Sequence, residues 1–509
     1  MGADPWTASG RHQPKPMMHD PEKSDPSIVP VKPANKAGQP AAEPAEGRGG
    51  IERNAGTQSK GRAQNRGSLS QARDRIREAA ARNRQEKLTT LLHHVTPEAL
   101  EDAFRRLRKD AAPGVDGVTW EDYATDLTSN LEGLCERVHT GAYRAQPSRR
   151  KYIPKPDGRQ RPLGIAALED KIVQQAVVDL LTPIYEEEFL GFSYGFRPGR
   201  GQHDALDALA VGIEERRIHW ILDADIRSFF DTISHDWLIR FVEHRIGDRR
   251  IIRLIHKWLK AGVLEDGCRI ETLAGTPQGA VISPLLANIY LHYGFDLWVR
   301  QWRQRHAAGD MIVVRYADDT IVGFEHQSDA EKFLADLVER LAKFELSLHP
   351  DKTRLVEFGR WASRDRARRG QGKPETFDFL GFTHICGKAR KTGRFQLRRQ
   401  TKAKSMRSKI QEIRQTLRGH RQAPIHEQGT WLGMVIRGFN AYFAVPTNSA
   451  ALTAFRDKIT IAWMAMLTRR SQRHRLTWPR MKVLADRYLP RPHILHPWPN
   501  TRFRVRHSR

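Results

Sequence analysis

The chain has 509 residues, with 85 Lys and Arg against 59 Asp and Glu and a formal net charge of +26. That length supports about two to four domains with full cores, and the charge points to a polyanionic partner, nucleic acid first. No apolar run reaches the length of a bilayer span, no basic-then-apolar signal opens the chain, and Cys135, Cys268 and Cys386 lie far apart, which speaks against a membrane partner, a disulfide framework and a zinc site and predicts a soluble, cytoplasmic protein.

Residues 1–70 hold nine Pro and nine Gly, with Trp6 as their only aromatic. So little apolar surface cannot offset chain entropy, and a disordered leader is predicted. Ser70 then reads as the cap of a basic helix through Arg73, Arg75 and Arg77. A second helix is expected from Thr96 as N-cap and Pro97 at the first position, with Leu100, Phe104 and Leu107 on one face. Turn signals at Pro113-Gly114 and Asp116-Gly117 stop it. The run Arg149 to Ile165 reads as two basic strands about Pro156-Asp157-Gly158, a hairpin suited to gripping a triphosphate or to lying solvated on the surface.

Beyond a helix over Glu169 to Leu181 comes an aromatic, Gly-containing loop, Phe192 to Arg200. Trp220 to Ile226 is a predicted strand ending in acid, where a period of two puts Asp223 and Asp225 on one face. A helical stretch from Trp237 to Leu264, the turn Gly275-Thr276-Pro277-Gln278-Gly279 and an apolar helix from Ser283 lead to Met311-Ile312-Val313-Val314-Arg315-Tyr316-Ala317-Asp318-Asp319-Thr320-Ile321-Val322. This reads as a hairpin with adjacent carboxylates at its tip. Asp is a favoured turn residue, but two carboxylates at the end of buried strands call for a hard divalent cation. If the Asp225 strand neighbours this hairpin, Asp225 and Asp318 can bridge two Mg²⁺ ions, the arrangement used in nucleotidyl transfer.

Ser328 and Glu331 suggest a capping box for a helix carrying Phe333, Leu337, Leu341 and Phe344. Leu348 to Thr353 closes that unit, and Phe377 to Phe382 begins a last strand. From Gly381 onward 28 Lys and Arg face only four acids. Three helices with apolar faces are expected there: Met406, Ile410, Ile413 and Leu417; Leu432, Ile436 and Phe439; Leu452, Phe455, Ile459 and Trp463.

Tyr316-Ala317-Asp318-Asp319 resembles the Tyr-x-Asp-Asp box of reverse transcriptases, and Asp225 to Asp231 resembles their preceding metal-binding box. Gly114 to Gly117, Ile153-Pro154-Lys155 with Arg161 to Ile165, Ser193 to Arg197, Thr276 to Gly279, Leu348 to Thr353 and Phe379 to Phe382 follow the order of the same family. The set is similar to group II intron-encoded reverse transcriptase/maturases, and Ile436 to Phe443 resembles the core of their maturase (X) domain. The resemblance implies an α+β fold: a right-hand polymerase with fingers and an antiparallel-sheet palm over 71–383, an all-α thumb/maturase domain over 384–480 and a basic tail over 481–509. It implies an RNA-directed DNA polymerase that also binds its intron RNA for splicing and mobility, acting on an RNA template, a DNA primer or target and deoxynucleoside triphosphates. A reverse transcriptase of a retron or diversity-generating element, and an RNA-binding splicing factor with a relict palm, are the alternatives.

Carried over by position, the resemblance makes Asp225 and Asp318 holders of two Mg²⁺, with Asp319 in support. Lys155 and Arg161 would grip the triphosphate and Gln278 would line the nucleotide pocket. Phe230 would exclude a 2′-hydroxyl, and Lys352 would approach the pyrophosphate as proton donor. Arg398, Arg399, Lys402, Lys404 and Arg437 are candidate RNA contacts. With no cysteine after Cys386, the metal-binding endonuclease region of many relatives is expected to be absent.

Overall fold

The computed structural model describes residues 57–154, 160–265, 268–271, 274–276, 279–470 and 476–506. Most of the expected leader therefore lies outside the described residues. Its last part is helical: α1 runs Thr57–Arg82, so Ser70 sits inside the helix rather than capping it. The polar first half of α1 offered no apolar stripe to reveal it. The second half is anchored by buried Ile76 and Ala80 and by Arg73, which bonds Asp102 and Asp179 at 3.2 and 3.1 Å.

The helix α2 (Pro97–Arg106) begins as its sequence dictates, with Thr96 accepting from the Ala99 N–H at 3.3 Å. Two further helices, α3 (Trp120–Ala124) and α4 (Leu127–Thr140), lead to the basic hairpin β1 (Ser148–Pro154) and β2 (Gln160–Ile165), antiparallel with Ile153 opposite Arg161. The long helix α5 (Leu168–Glu186) is largely buried and packs beneath α1 and α2.

After α6 (Gln202–Glu215), strand β3 (Trp220–Asp225) enters the central sheet. The short α7 (Phe229–Thr232) is followed by α8 (His235–Arg245) and α9 (Arg249–Lys260). The expected continuous stretch is thus broken where Asp248 caps α9 and also accepts the Leu91 and Leu92 N–H groups, both at 2.9 Å. Strands β4 (Val263–Glu265) and β5 (Cys268–Ile270) complete a second sheet, of order β2-β1-β4-β5.

Helix α10 (Ser283–Leu291) runs through a π-helical turn, His292–Asp296, into α11 (Leu297–Arg305). The acidic hairpin is β6 (Met311–Tyr316) and β7 (Asp319–Phe324). Helix α12 (Gln327–Ala342) buries Phe333, Leu337 and Leu341, but its N-cap is His326 and no capping box forms. Ser328 falls inside the helix, and Gln327 bonds Glu331 at 2.7 Å instead. With β8 (Arg354–Glu357), the central sheet has the order β6-β7-β3-β8 and is antiparallel throughout.

The expected last strand is in fact three. Beyond α13 (Ala362–Arg368), β9 (Phe377–Phe379), β10 (Phe382–Lys388) and β11 (Phe395–Thr401) form a separate sheet of order β11-β10-β9. A boundary at residue 383 therefore cuts through β10, and helix resumes only at α14 (Ala403–Gly419). It is joined by α15 (Ile425–Phe443), α16 (Ser449–Thr468) and α17 (Trp478–Tyr488) around Ile413, Leu432, Phe455, Trp463 and Met481. The C-terminal region is not a free tail: α18 (Pro499–Arg506) returns to α6, where Arg502 bonds the buried Asp207. No helix among the described residues is long and apolar enough to cross a membrane.

Candidate active site

The cross-strand register assembles the acidic cluster. Antiparallel pairing of β3 with β7 sets Asp225 opposite Asp319, while Asp223 lies opposite Ile321 on one side and Arg354 on the other. Asp318 occupies the hairpin tip beside them, after Ala317 in the left-handed region (φ 56°). That conformation strains any residue with a Cβ and persists only where its surroundings enforce it.

Here two neighbours enforce it. Gly195 lies so close that a Cβ there would stand 2.3 Å from the Ala317 nitrogen. Arg315, fully buried, donates to both oxygens of equally buried Asp296 at 2.7 and 2.5 Å. The same guanidinium reaches the Ala317 carbonyl at 2.9 Å, the Asn288 side-chain oxygen at 3.1 Å and the Ser193 hydroxyl at 2.7 Å. Asn288 in turn donates to the Gly195 carbonyl at 2.7 Å. The tip is thereby tied to the Phe192–Arg197 loop and, through Asp296, to the π-helical turn.

A cleft of about 390 Å³ opens over the sheet end, lined by Asp223, Asp225, Asp319, Asp351, Lys352 and Asp378 among others. The segment after α12 pairs against β3: the His349 N–H donates to the Asp225 carbonyl at 2.8 Å, and Ile226 bridges Leu348. This delivers Lys352, whose Nζ lies 3.0 and 2.9 Å from the two Asp225 oxygens. Lys402 pairs with Asp378 at 3.0 Å. Loss of hydration, then the charges of Asp318, Asp225 and Asp223, push Asp319 up to about 7. Burial likewise lifts Asp223 to about 6, against the pull of Arg354.

Among the described residues no three His, Cys, Asp or Glu side chains stand ready-made as a metal cluster. The donors nevertheless suit a hard cation: all are carboxylate oxygens, burial and the neighbouring carboxylates raise Asp319 to about 7, and the Lys352 ammonium already pairs with Asp225.

Phe230 lies in the first turn of α7, half-buried against Phe229 with ring centroids 5.4 Å apart. Its carbonyl accepts from the Thr276 N–H at 2.8 Å, so the 274–276 segment is strapped to it. Lys155 and Gln278 lie outside the described residues, and of Arg161 only the backbone, in β2, is described. The structure thus brings Asp225, Asp318, Asp319 and Lys352 to one sheet end.

The candidate RNA contacts divide. Lys404 and Arg437 are exposed. Arg398 is half-buried and donates to the Lys388 carbonyl at 2.9 Å. Arg399 was expected as a surface cation but is only 2% exposed, bonded to Asp207 at 3.0 Å, because alternation along β11 turns it inward. Lys402 faces the acidic cleft. Sequence reasoning passed over Asp378, at the cleft, and the brace of Arg315, Asp296, Asn288 and Ser193. An arginine within the apolar run of β6 was the available signal for that brace; nothing local marked Asp296.

Residues 153–384 match the family described as "Reverse transcriptase (RNA-dependent DNA polymerase)". The chain is 40% identical to Protein YkfC of Escherichia coli over 222 residues, 42% of this chain and 58% of that protein. It is 37% identical to the group II intron-encoded protein LtrA of Lactococcus lactis over 235 residues, 46% of this chain and 39% of LtrA. A third relative, the putative COX1/OXI3 intron 1 protein of Saccharomyces cerevisiae, is 31% identical over 205 residues, 39% of this chain and 24% of that protein. The matches thus span only 24–58% of these relatives' lengths. Residues 153–384 thus match the reverse transcriptase family, and the chain is similar to group II intron-encoded proteins over a stretch of similar length.

Proposed function

We propose that this chain is an RNA-directed DNA polymerase that also binds a group II intron RNA and assists its splicing and mobility. The observation that carries the reading is the register that sets Asp225 opposite Asp319, beside the braced tip carrying Asp318, inside the reverse transcriptase domain. In this reading the central sheet is the palm, the β2-β1-β4-β5 sheet belongs to the fingers, and α14–α17 form the thumb/maturase unit, which begins after β11 rather than at residue 384.

Asp225 and Asp318, with Asp319 in support, would hold two Mg²⁺ ions. When bound, the ions supply activation of the primer hydroxyl and charge stabilisation at the pyrophosphate oxygens. The chain's own residues position the parts. The Arg315 brace and the Gly195 contact fix the tip before substrate arrives, so its carboxylate needs little reorganisation. Lys352, delivered to the cleft by the His349–Asp225 backbone bond, would serve as a proton donor to the leaving pyrophosphate. Phe230, half-buried at the start of α7, would take the place of the ring that clashes with a 2′-hydroxyl. Lys155 and Arg161 would hold the triphosphate from the basic hairpin, and Gln278 would line the nucleotide pocket.

The test is primer extension on an RNA template with Mg²⁺. Wild-type protein should extend and Asp318→Ala should not, with RNA affinity unchanged within a few-fold. Extension by Asp318→Ala at near wild-type rate contradicts the assignment.

A further inference from the structure

Between α13 and the β10–β11 hairpin lies a cleft of about 860 Å³, separate from the acidic one. Its lining includes the cations Arg360, Lys373, Lys388, Arg394 and Arg398 and no carboxylate. It also includes two rings, Trp361 and Phe395. A volume near the upper end of the roughly 300–1,000 Å³ of small-molecule pockets, with five cations unmatched by acid in its lining, fits a segment of a polyanion better than a compact metabolite.

The geometry favours flat rings joined by phosphates. Trp361 is 38% exposed, while the Arg364 guanidinium lies 4.7 Å from its ring centroid and fixes its plane. Gly387 leaves room for the Arg398 side chain, which a Cβ there would meet at 2.6 Å. Arg398 lies along the strand in that space, held by its bond to the Lys388 carbonyl. The hairpin turn carries Gly393 at φ 66°, with nothing within 4 Å of a notional Cβ, so the tip stays narrow and open. Aromatic platforms beside fixed cations are the means by which proteins hold unpaired bases and their backbone without reading sequence. A duplex hides its base faces and would use only the charge.

We infer that this cleft binds a single-stranded stretch of RNA. The placement agrees with such a role. The Leu380-Gly381 turn at one end of β10 lines the acidic cleft, and Lys388 at the other end lines this one, so the two are joined by a strand roughly 20 Å long. An RNA engaged at the polymerase cleft would have its unpaired continuation within reach of Trp361. The inference rests on the proposed polymerase function for the source of the RNA, but its chemistry is independent of it.

The experiment uses the full chain and two fluorescein-labelled probes of about 12 nucleotides, one single-stranded RNA and one RNA duplex. Trp361→Ala should weaken single-strand binding by about tenfold, the loss expected for one stacked base, and leave the duplex within twofold. Trp361→Phe, keeping a ring, should recover most of the loss. The surface pair Lys388→Gln/Arg394→Gln should flatten the log–log salt slope for the single strand by about 1.4. Unchanged single-strand affinity in Trp361→Ala overturns the inference; so does an equal loss on both probes, which would make the cleft a general basic patch. Primer extension on a short annealed template, run in parallel, separates the two readings. If wild type fails to extend, the polymerase assignment fails whatever the probes show; if it extends while Trp361→Ala binds both probes normally, only this inference fails.

Discussion

Removing the positive charge of Arg315 is the perturbation with the largest calculable effect on the site. Arg315→Met keeps much of the side-chain length but takes five hydrogen bonds from four residues, two of them from Asp296. Both members of the ion pair are fully buried, so the variant leaves an uncompensated carboxylate in the core. Breaking such a pair costs about 3–5 kcal/mol. The assay is hydrogen exchange on β6 and β7, where a loss of that size speeds local opening by roughly 10²- to nearly 10⁴-fold. Burial already raises the pKa of Asp296 and Arg315 opposes it; without Arg315 the carboxyl keeps a proton in the folded state well above its unfolded pKa. A raised acid stabilises the fold at low pH and loses that contribution as pH rises, so the deficit should be smallest at or below about pH 4, the unfolded range, and grow above it. Arg315→Met/Asp296→Leu, which buries no charge, should recover most of the stability. A single variant exchanging at wild-type rate, or a double variant no better than the single, refutes the brace.

Three further outcomes follow from the geometry. Gly195→Ala forces a Cβ into the Ala317 backbone; overpacking of about 1–3 kcal/mol should displace the tip and cut single-turnover extension at least tenfold, and near-normal extension would mean the contact does not matter. Phe230→Val, which shortens the half-buried ring proposed to meet a 2′-hydroxyl, should admit ribonucleotides, and unchanged selectivity in a nucleotide-competition assay would place the gate elsewhere. Asp207→Asn leaves Arg399 buried without its carboxylate and releases Arg502. It should lower stability by about 3 kcal/mol in a urea melt and expose α18 to protease, and a protected α18 would show that its remaining contacts with α6 hold it.

Much of the site was legible because its signals are local. The β-branched runs around Asp318-Asp319 and the alternation through Asp223 and Asp225 fix two strands, and their pairing requires only that they be neighbours. Thr96-Pro97 declares a helix start in the same way. What was not legible depends on tertiary contact. Ser328 and Glu331 have the spacing of a capping box, yet Asp329 is drawn to the Ala308 and Gly309 N–H groups at 2.9 and 3.2 Å, and the helix starts earlier. Strands β10 and β11 lie in the basic span from Gly381 onward, where only helices were expected. Arg399 looked like its neighbours in sequence; only the partner Asp207, on a distant helix, makes it a core residue. The C-terminal segment read as a tail because its anchor on α6 lies almost 300 residues away in sequence.

The central claim is that Asp225 and Asp318 act as one unit. The most direct measurement is a cycle of single-turnover primer extension on an RNA template with wild type, Asp225→Asn, Asp318→Asn and the double variant. Groups that serve one step together are strongly non-additive. Each single variant should therefore lose nearly as much rate as the double, all of them folded and binding template normally. Losses that multiply in the double variant, or a single variant that extends at the wild-type rate, would contradict the account.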